Sequence, residues 1–183
     1  MGRSFSCVIA LLALLAATGL AACGDDGDDE AATQTTERQS ETAEEPSPSA
    51  QREALKDTST KPVIPKPTGA PPRKLVKEDI VKGEGRAAKQ GDTLTVNYVG
   101  VAFSTGEEFD ASWDRGQPFD VPLGAGQVIE GWDTGLVGMR KGGRRMLTIP
   151  PELAYGTDGY PPAIAPNETL IFVVDAVAVK PGG

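Results

Sequence analysis

Between Gly24 and Pro72 the chain carries only three large apolar side chains, Leu55, Val63 and Ile64. So little apolar surface cannot offset the entropy lost when a segment becomes ordered. The segment therefore divides the 183 residues into a leader, a linker and a single domain. It holds 11 acids against 5 bases, and seven prolines lie from Pro46 onward. That composition predicts an acidic, proline-rich and disordered linker, stiff and extended in its second half. A spacer of selected length and low-complexity filler are both compatible with it.

Ahead of the linker, Arg3 is the only charge before Asp25, and Val8 to Ala22 form a continuous apolar run of 15 residues. A positive start followed by a short apolar core is the layout of a secretory signal peptide. The run is shorter than the roughly 20 residues that span a bilayer. It ends in Leu20-Ala21-Ala22-Cys23, which resembles the bacterial lipobox, a motif whose cysteine is lipidated and becomes the mature N-terminus. The expected organisation is a signal peptide over 1–22, a lipidated N-terminus at Cys23 with the linker through 72, and a domain over 73–183. The expected location is extracytoplasmic, lipid-anchored to the bacterial cell membrane. Cys7 would leave with the leader and Cys23 would carry lipid, so the mature chain would hold no free thiol, as suits an oxidising compartment.

The absence of histidine removes histidine triads, histidine general bases and histidine-ligated metals. Two cysteines cannot build a four-thiolate zinc site. A net charge of -8 argues against a nucleic-acid partner. Gly124-Ala125-Gly126 matches half of a dinucleotide fingerprint, but no strand–helix unit or acidic residue supports it, and GWDTGLVGMRKGG lacks the ending of a phosphate loop. The carboxylates do not fall at metal-ligand spacing, and neither a metal nor an organic cofactor is expected.

Residues 73–183 hold nine of the ten aromatic side chains. Strands are predicted over Leu75–Val81, Thr93–Phe103, Arg144–Ile149 and Thr169–Val179, from period-two alternation and β-branched content. In the last of these Leu170, Phe172, Val174 and Ala176 share one face. Gly131 to Met139 reads as a short helix, and Glu152 to Tyr155 as a single turn. The fold class is α+β, an antiparallel sheet of five to six strands with one short α-helix covering its apolar face.

Four segments carry a family resemblance: VNYVG at 96–100, FSTGEEFDASWDRGQPFDVPLGAGQVIEGWDTGLVGM at 103–139, RMLTIPPELAYG at 145–156 and NETLIFVVD at 167–175. In order and spacing they resemble the FKBP-type peptidyl-prolyl cis-trans isomerases over about residues 74 to 180. The resemblance implies a sheet wrapped around one short helix, and a pocket built from Tyr98, Phe109, Asp110, Phe119, Val128, Ile129, Trp132, Tyr155, Ile164 and Phe172. Trp132 would be its floor. The backbone N–H of Ile129 and the hydroxyl of Tyr155 would donate to substrate carbonyls. Asp110 would face the rotating carbonyl or hold neighbouring donors, with a turn or ion-pair carboxylate as its alternative. Tyr160 lies in the substrate loop DGYPPAIAP where several family members carry histidine, and Trp113 reads as a packing residue. The implied partners are proline-containing polypeptides and macrolide inhibitors, and the implied state is a monomer. An isomerase acting on exported proteins is the leading reading. The alternatives are a module that holds a partner's proline segment with turnover incidental, and a general holdase.

Overall fold

The computed structural model describes residues 47–182. The signal peptide expected over 1–22, the lipidation expected at Cys23 and the linker as far as Pro46 lie outside the described residues. Helix α1 spans Pro48–Ala54, and strands follow at β1 (Val76–Val81), β2 (Glu84–Ala87), β3 (Thr93–Ala102), β4 (Glu108–Ala111) and β5 (Phe119–Pro122). Helix α2 (Glu130–Gly135) then leads into β6 (Arg140–Lys141), β7 (Arg144–Ile149) and the long β8 (Leu170–Lys180). Six strands form one antiparallel sheet in the order β1-β7-β8-β3-β4, with β5 also paired to β3, while β2 and β6 form a separate ribbon. This is the α+β antiparallel architecture expected from the sequence, with two α-helices rather than one among the described residues.

The sheet centres on β3 and β8, which pair from Thr93↔Lys180 to Ala102↔Leu170. The other edge of β3 is shared, its first half pairing with β5 and its second with β4. Between them the chain leaves the ladder through a 3-10 turn at Trp113–Arg115. At that break the buried Ser112 hydroxyl accepts from the Tyr98 N–H at 2.9 Å, and the Ser112 N–H donates to the Tyr98 carbonyl at 3.0 Å. One side chain thus keeps the ladder satisfied where the partner strand is interrupted.

Strand β8 is buried without interruption from Leu170 to Ala176. Side chains alternate across a strand, so both faces of the sheet must be covered, as for any strand that reads as a continuous apolar run. On the front, Leu170, Phe172, Val174 and Ala176 pack with Leu94, Val96, Tyr98, Trp132, Leu136 and Leu147. Helix α2 closes this face. A Cβ on Gly131 would lie 2.4 Å from Ile149 Cγ2, and one on Gly135 would lie 2.9 Å from Leu147 Cδ1. Both positions face β7, and only glycine lets the helix come so close. Arg145 on β7 donates to the carbonyls of Gly135 (2.6 Å) and Val137 (2.9 Å), satisfying acceptors at the C-terminal end of α2. The helix ends at Gly135, four residues before the expected Met139, and the chain turns at Gly138 with φ +89°.

The back of the sheet corrects the expectation for the linker. Residues 47–72 are not a disordered tether outside a domain that begins at 73. They form a strap in which α1 is followed by an extended stretch. Leu55 and Ile64 are buried against Val99, Val101, Ile171 and Val173, and Trp113 packs beside them. Arg144, whose side chain is 0% exposed, ties the strap down. Its Nη1 donates to the carbonyls of Leu55 (3.0 Å) and Asp57 (2.8 Å), and its Nη2 to the carbonyl of Thr60 (3.0 Å). Nε and Nη2 donate to the Asp175 carboxylate at 2.5 and 2.8 Å. All five guanidinium N–H donors therefore have acceptors, which a buried cation requires. At the surface Lys61 bridges Glu108 (2.8 Å) and Asp114 (2.7 Å), and Arg52 pairs with Glu78 at 3.1 Å. Two of the segment's three large apolar residues are the ones inserted, while Val63 is 83% exposed. Local composition misjudged the segment because its ordering is supported by partners that lie elsewhere in the chain.

Candidate functional site

The front of the sheet is not completely filled. A cavity of about 230 Å³ opens there, lined by Tyr98, Phe109, Asp110, Phe119, Gln127, Val128, Ile129, Trp132, Tyr155 and Phe172. β3 supplies Tyr98, β4 supplies Phe109 and Asp110, and β5 supplies Phe119. Val128 and Ile129 lead into α2, which carries Trp132, and Phe172 comes from β8. The rings meet edge to face. Tyr98 and Trp132 have centroids 5.1 Å apart at 85°, Trp132 and Phe172 are 5.2 Å apart at 81°, and Phe109 and Phe172 are 5.5 Å apart at 88°. Such contacts fix ring orientation. Gly100 makes room for them, since a Cβ there would lie 2.7 Å from both Phe109 Cζ and Phe172 Cε1.

The polar side of the cavity is a closed network. The Tyr98 hydroxyl donates to one oxygen of Asp110, and Arg115 donates to the other. Arg115 Nη2 also donates to the Tyr98 hydroxyl at 2.7 Å, and its guanidinium carbon stands 5.6 Å from the centre of the Tyr98 ring. Burial, reinforced by the hydrogen bond to Asp110, pushes the Tyr98 pKa up to about 12. At neutral pH Asp110 is thus engaged by a hydroxyl and a guanidinium, and the ion-pair alternative raised for it is realised. Tyr155, at 38% exposure, sits at the mouth, and partial burial together with the charge of Asp110 raises its pKa and keeps its hydroxyl a donor. Tyr160, at 63% exposure, stands beside it with ring centroids 5.7 Å apart at 38°.

Nine of the ten residues expected in the pocket line this cavity. The exception is Ile164, which is not among the lining residues. It is buried in the front core, and its backbone exchanges two 2.9 Å hydrogen bonds with Tyr160 to shape the loop. Gln127 and Arg115 went unanticipated. Gln127 directly precedes the expected Val128 and Ile129, so position alone was its signal. Arg115 carried none, because its role depends on the turn that returns it to Asp110.

The arrangement suits an apolar ring with polar atoms at its edge. It offers no nucleophile–base pair, and its one carboxylate is occupied. The family of FKBP-type peptidyl-prolyl cis-trans isomerases matches residues 84–177. The chain is 60% identical over 120 residues to an FK506-binding protein of Streptomyces anulatus, covering 65% of this chain and 97% of the relative. It is 50% identical over 118 residues to a probable FK506-binding protein of Corynebacterium glutamicum, covering 64% and 98%. Among solved structures it is similar to FkpA from Escherichia coli, with a TM-score of 0.54 and 46% identity over 60% of this chain and 49% of that one. It is also similar to AtFKBP13, with a TM-score of 0.53 and 37% identity over 57% and 91%. The chain belongs to the FKBP-type peptidyl-prolyl cis-trans isomerase family, and its activity is the isomerisation of X-Pro peptide bonds.

Proposed function

We propose that the cavity receives the proline ring of exported polypeptides over the face of Trp132, between Tyr98, Phe109, Phe119 and Phe172, and lowers the barrier to rotation of the preceding bond. The observation that carries this reading is the open aromatic well, about 230 Å³ in volume, whose lining includes the rings of Tyr98, Phe109, Phe119, Trp132, Tyr155 and Phe172. An X-Pro bond rotates slowly because amide resonance resists twisting, with a barrier of about 18–20 kcal/mol. The planar amide is strongly polar and prefers water. At the twisted transition state resonance is lost, the C–N dipole shrinks, and an apolar wall becomes a better environment. The pocket then favours the transition state over the ground state, and each ~1.4 kcal/mol of that difference is tenfold in rate.

No proton needs to move in this reaction. The N–H of Ile129 and the hydroxyl of Tyr155 hold substrate carbonyls at the rim, and Asp110, bound to Tyr98 and Arg115, keeps the wall rigid and polar where the amide oxygen turns. A macrolide of the kind that gives the relatives their names would fill the same well and compete with substrate. The test is isomerisation of an Ala-Leu-Pro-Phe peptide by the full chain. Acceleration that such a macrolide abolishes is expected, together with a change in Trp132 fluorescence when it binds. Acceleration that persists with the macrolide bound would sink the assignment to this pocket.

We also propose that the chain works outside the cytoplasm, held at the membrane by lipid on Cys23. Leu20-Ala21-Ala22-Cys23 at the end of the apolar run supports this reading. A single acyl chain binds only marginally, so stable attachment calls for more than one. Cys23→Ser is expected to shift the protein from the membrane to the soluble fraction without changing peptide isomerisation. Identical partitioning of variant and parent would refute the anchor.

A further inference from the structure

The Gly124-Ala125-Gly126 turn binds no dinucleotide that the sequence supports, yet it lies directly before the rim of the pocket. Upstream it is secured at Leu123, whose N–H donates to the Asp92 carbonyl at 2.8 Å and whose carbonyl accepts from Gly91 at 2.9 Å. Downstream it is secured at Ile129, whose carbonyl accepts from Trp132 and Asp133 at 2.9 and 3.2 Å. Between these points the backbone makes one backbone–backbone hydrogen bond among the described residues, from Ala125 N–H to the Pro122 carbonyl at a long 3.4 Å. The stretch nonetheless carries Gln127 and Val128, which line the cavity up to Ile129.

The missing constraint comes from one side chain. Asp133 reaches back from α2, accepting the Gly124 N–H on one carboxylate oxygen and the Gly126 N–H on the other, each at 3.0 Å. Both glycines have positive φ, +77° and +65°, and this geometry turns both N–H groups toward the same carboxylate. We propose that Asp133 is a positioning residue for the isomerase, clamping the Gly124–Gly126 turn so that Gln127, Val128 and the Ile129 N–H are already in place when a proline segment arrives. This rests on the reading that the Ile129 rim meets the substrate. A rim ordered before binding saves the entropy of ordering it on binding, so the effect falls on affinity rather than on the rotation step.

The test compares Asp133→Ala, Asp133→Asn and Asp133→Glu in the full chain, with kcat and KM measured separately on Ala-Leu-Pro-Phe and amide exchange followed at Gly124 and Gly126. Asp133→Ala, which removes both acceptors, is expected to raise KM about fivefold to tenfold with kcat within about twofold. Asp133→Asn keeps one acceptor and should fall between it and the parent. Asp133→Glu keeps both and should recover at least half of the loss. Exchange at the two glycines should accelerate in Asp133→Ala while Leu147 and Phe172 stay protected. An active parent whose KM is unchanged in Asp133→Ala, with the glycine amides loosened, overturns the positioning role alone. Parallel losses of kcat and melting temperature in all three variants overturn it as well, in favour of a merely structural carboxylate. A parent without isomerase activity overturns the reading of the pocket and the proposal with it.

Discussion

On the front of the sheet Tyr98, Trp132 and Phe172 meet edge to face and leave a cavity of about 230 Å³. On the back Leu55 and Ile64 close the space over Val99, Val101, Ile171 and Val173, and Arg144 uses every donor it has. The two faces share strands and even neighbouring residues, since Phe172 looks forward and Ile171 and Val173 look back. What separates them is the shape of what covers them. Rigid planar rings in T-shaped contact cannot collapse into the gap between them, so the front stays open to a ligand. Flexible aliphatic side chains of the sheet and the strap close over the back, so that face contributes stability. One sheet thus holds a binding site and a packed core back to back.

The largest effect that could break this division is expected from Arg144→Met. The substitution leaves Asp175 buried without its partner and frees three strap carbonyls. Loss of one member of a buried pair costs about 3–5 kcal/mol, to be read from urea unfolding. If the faces are separate, kcat/KM per folded molecule stays at the parent value wherever the variant is folded. Lost activity in folded protein would show that the strap side reaches the pocket.

Gly100→Ala should act on the front alone. A Cβ 2.7 Å from Phe109 Cζ and Phe172 Cε1 must displace the two rings from their edge-to-face contact, at a cost of about 1–3 kcal/mol. Activity should fall with stability, and protection of strap amides from exchange should stay unchanged.

Tyr98→Phe sharpens the comparison through pH. Folded Tyr98 keeps its proton to about 12, whereas an unfolded tyrosine ionises near 10. Its contribution to stability is therefore fully present below pH 10 and is lost as pH rises from 10 to 12. Unfolding measured across that window should show a fall in the parent that is shallower in Tyr98→Phe, and equal slopes would contradict the assignment. At neutral pH the variant should lose about 1 kcal/mol, one hydrogen-bonded group of the Asp110–Arg115 network.

The smallest change in the fold is expected from Tyr155→Phe. The hydroxyl sits at the mouth of the cavity, so the melting temperature should hold while kcat/KM drops about twofold to tenfold. An unaltered rate would remove Tyr155 from the rim and leave the apolar wall to act without it.

The front was far more legible in the sequence than the back. The bounds of β7 match expectation because alternation runs up to Pro150-Pro151, and β8 announces itself by β-branched content. Pocket residues could be assigned because they lie in long motifs with fixed spacing. β4 and β5 could not, being four residues each and given their identity by pairing with two halves of β3. The strap was misjudged because its charge and prolines describe how it behaves alone. One clue was nevertheless present. Ile171 and Val173 are as apolar as Phe172 and Val174, and a single helix can cover only one side. A strand apolar on both faces calls for a second cover, which Leu55 and Ile64 ahead of β1 supply.

For a chain anchored at Cys23 as proposed, the strap also sets how far the pocket can travel. With Leu55 and Ile64 packed on the back of the sheet, the strap joins the domain on the side away from the pocket. At about 3.4 Å per residue, the 23 residues between Cys23 and Ser47 span at most about 80 Å, against about 165 Å if the free chain ran to Pro72. Halving the reach cuts the volume that a tethered domain can search roughly eightfold and concentrates it by the same factor.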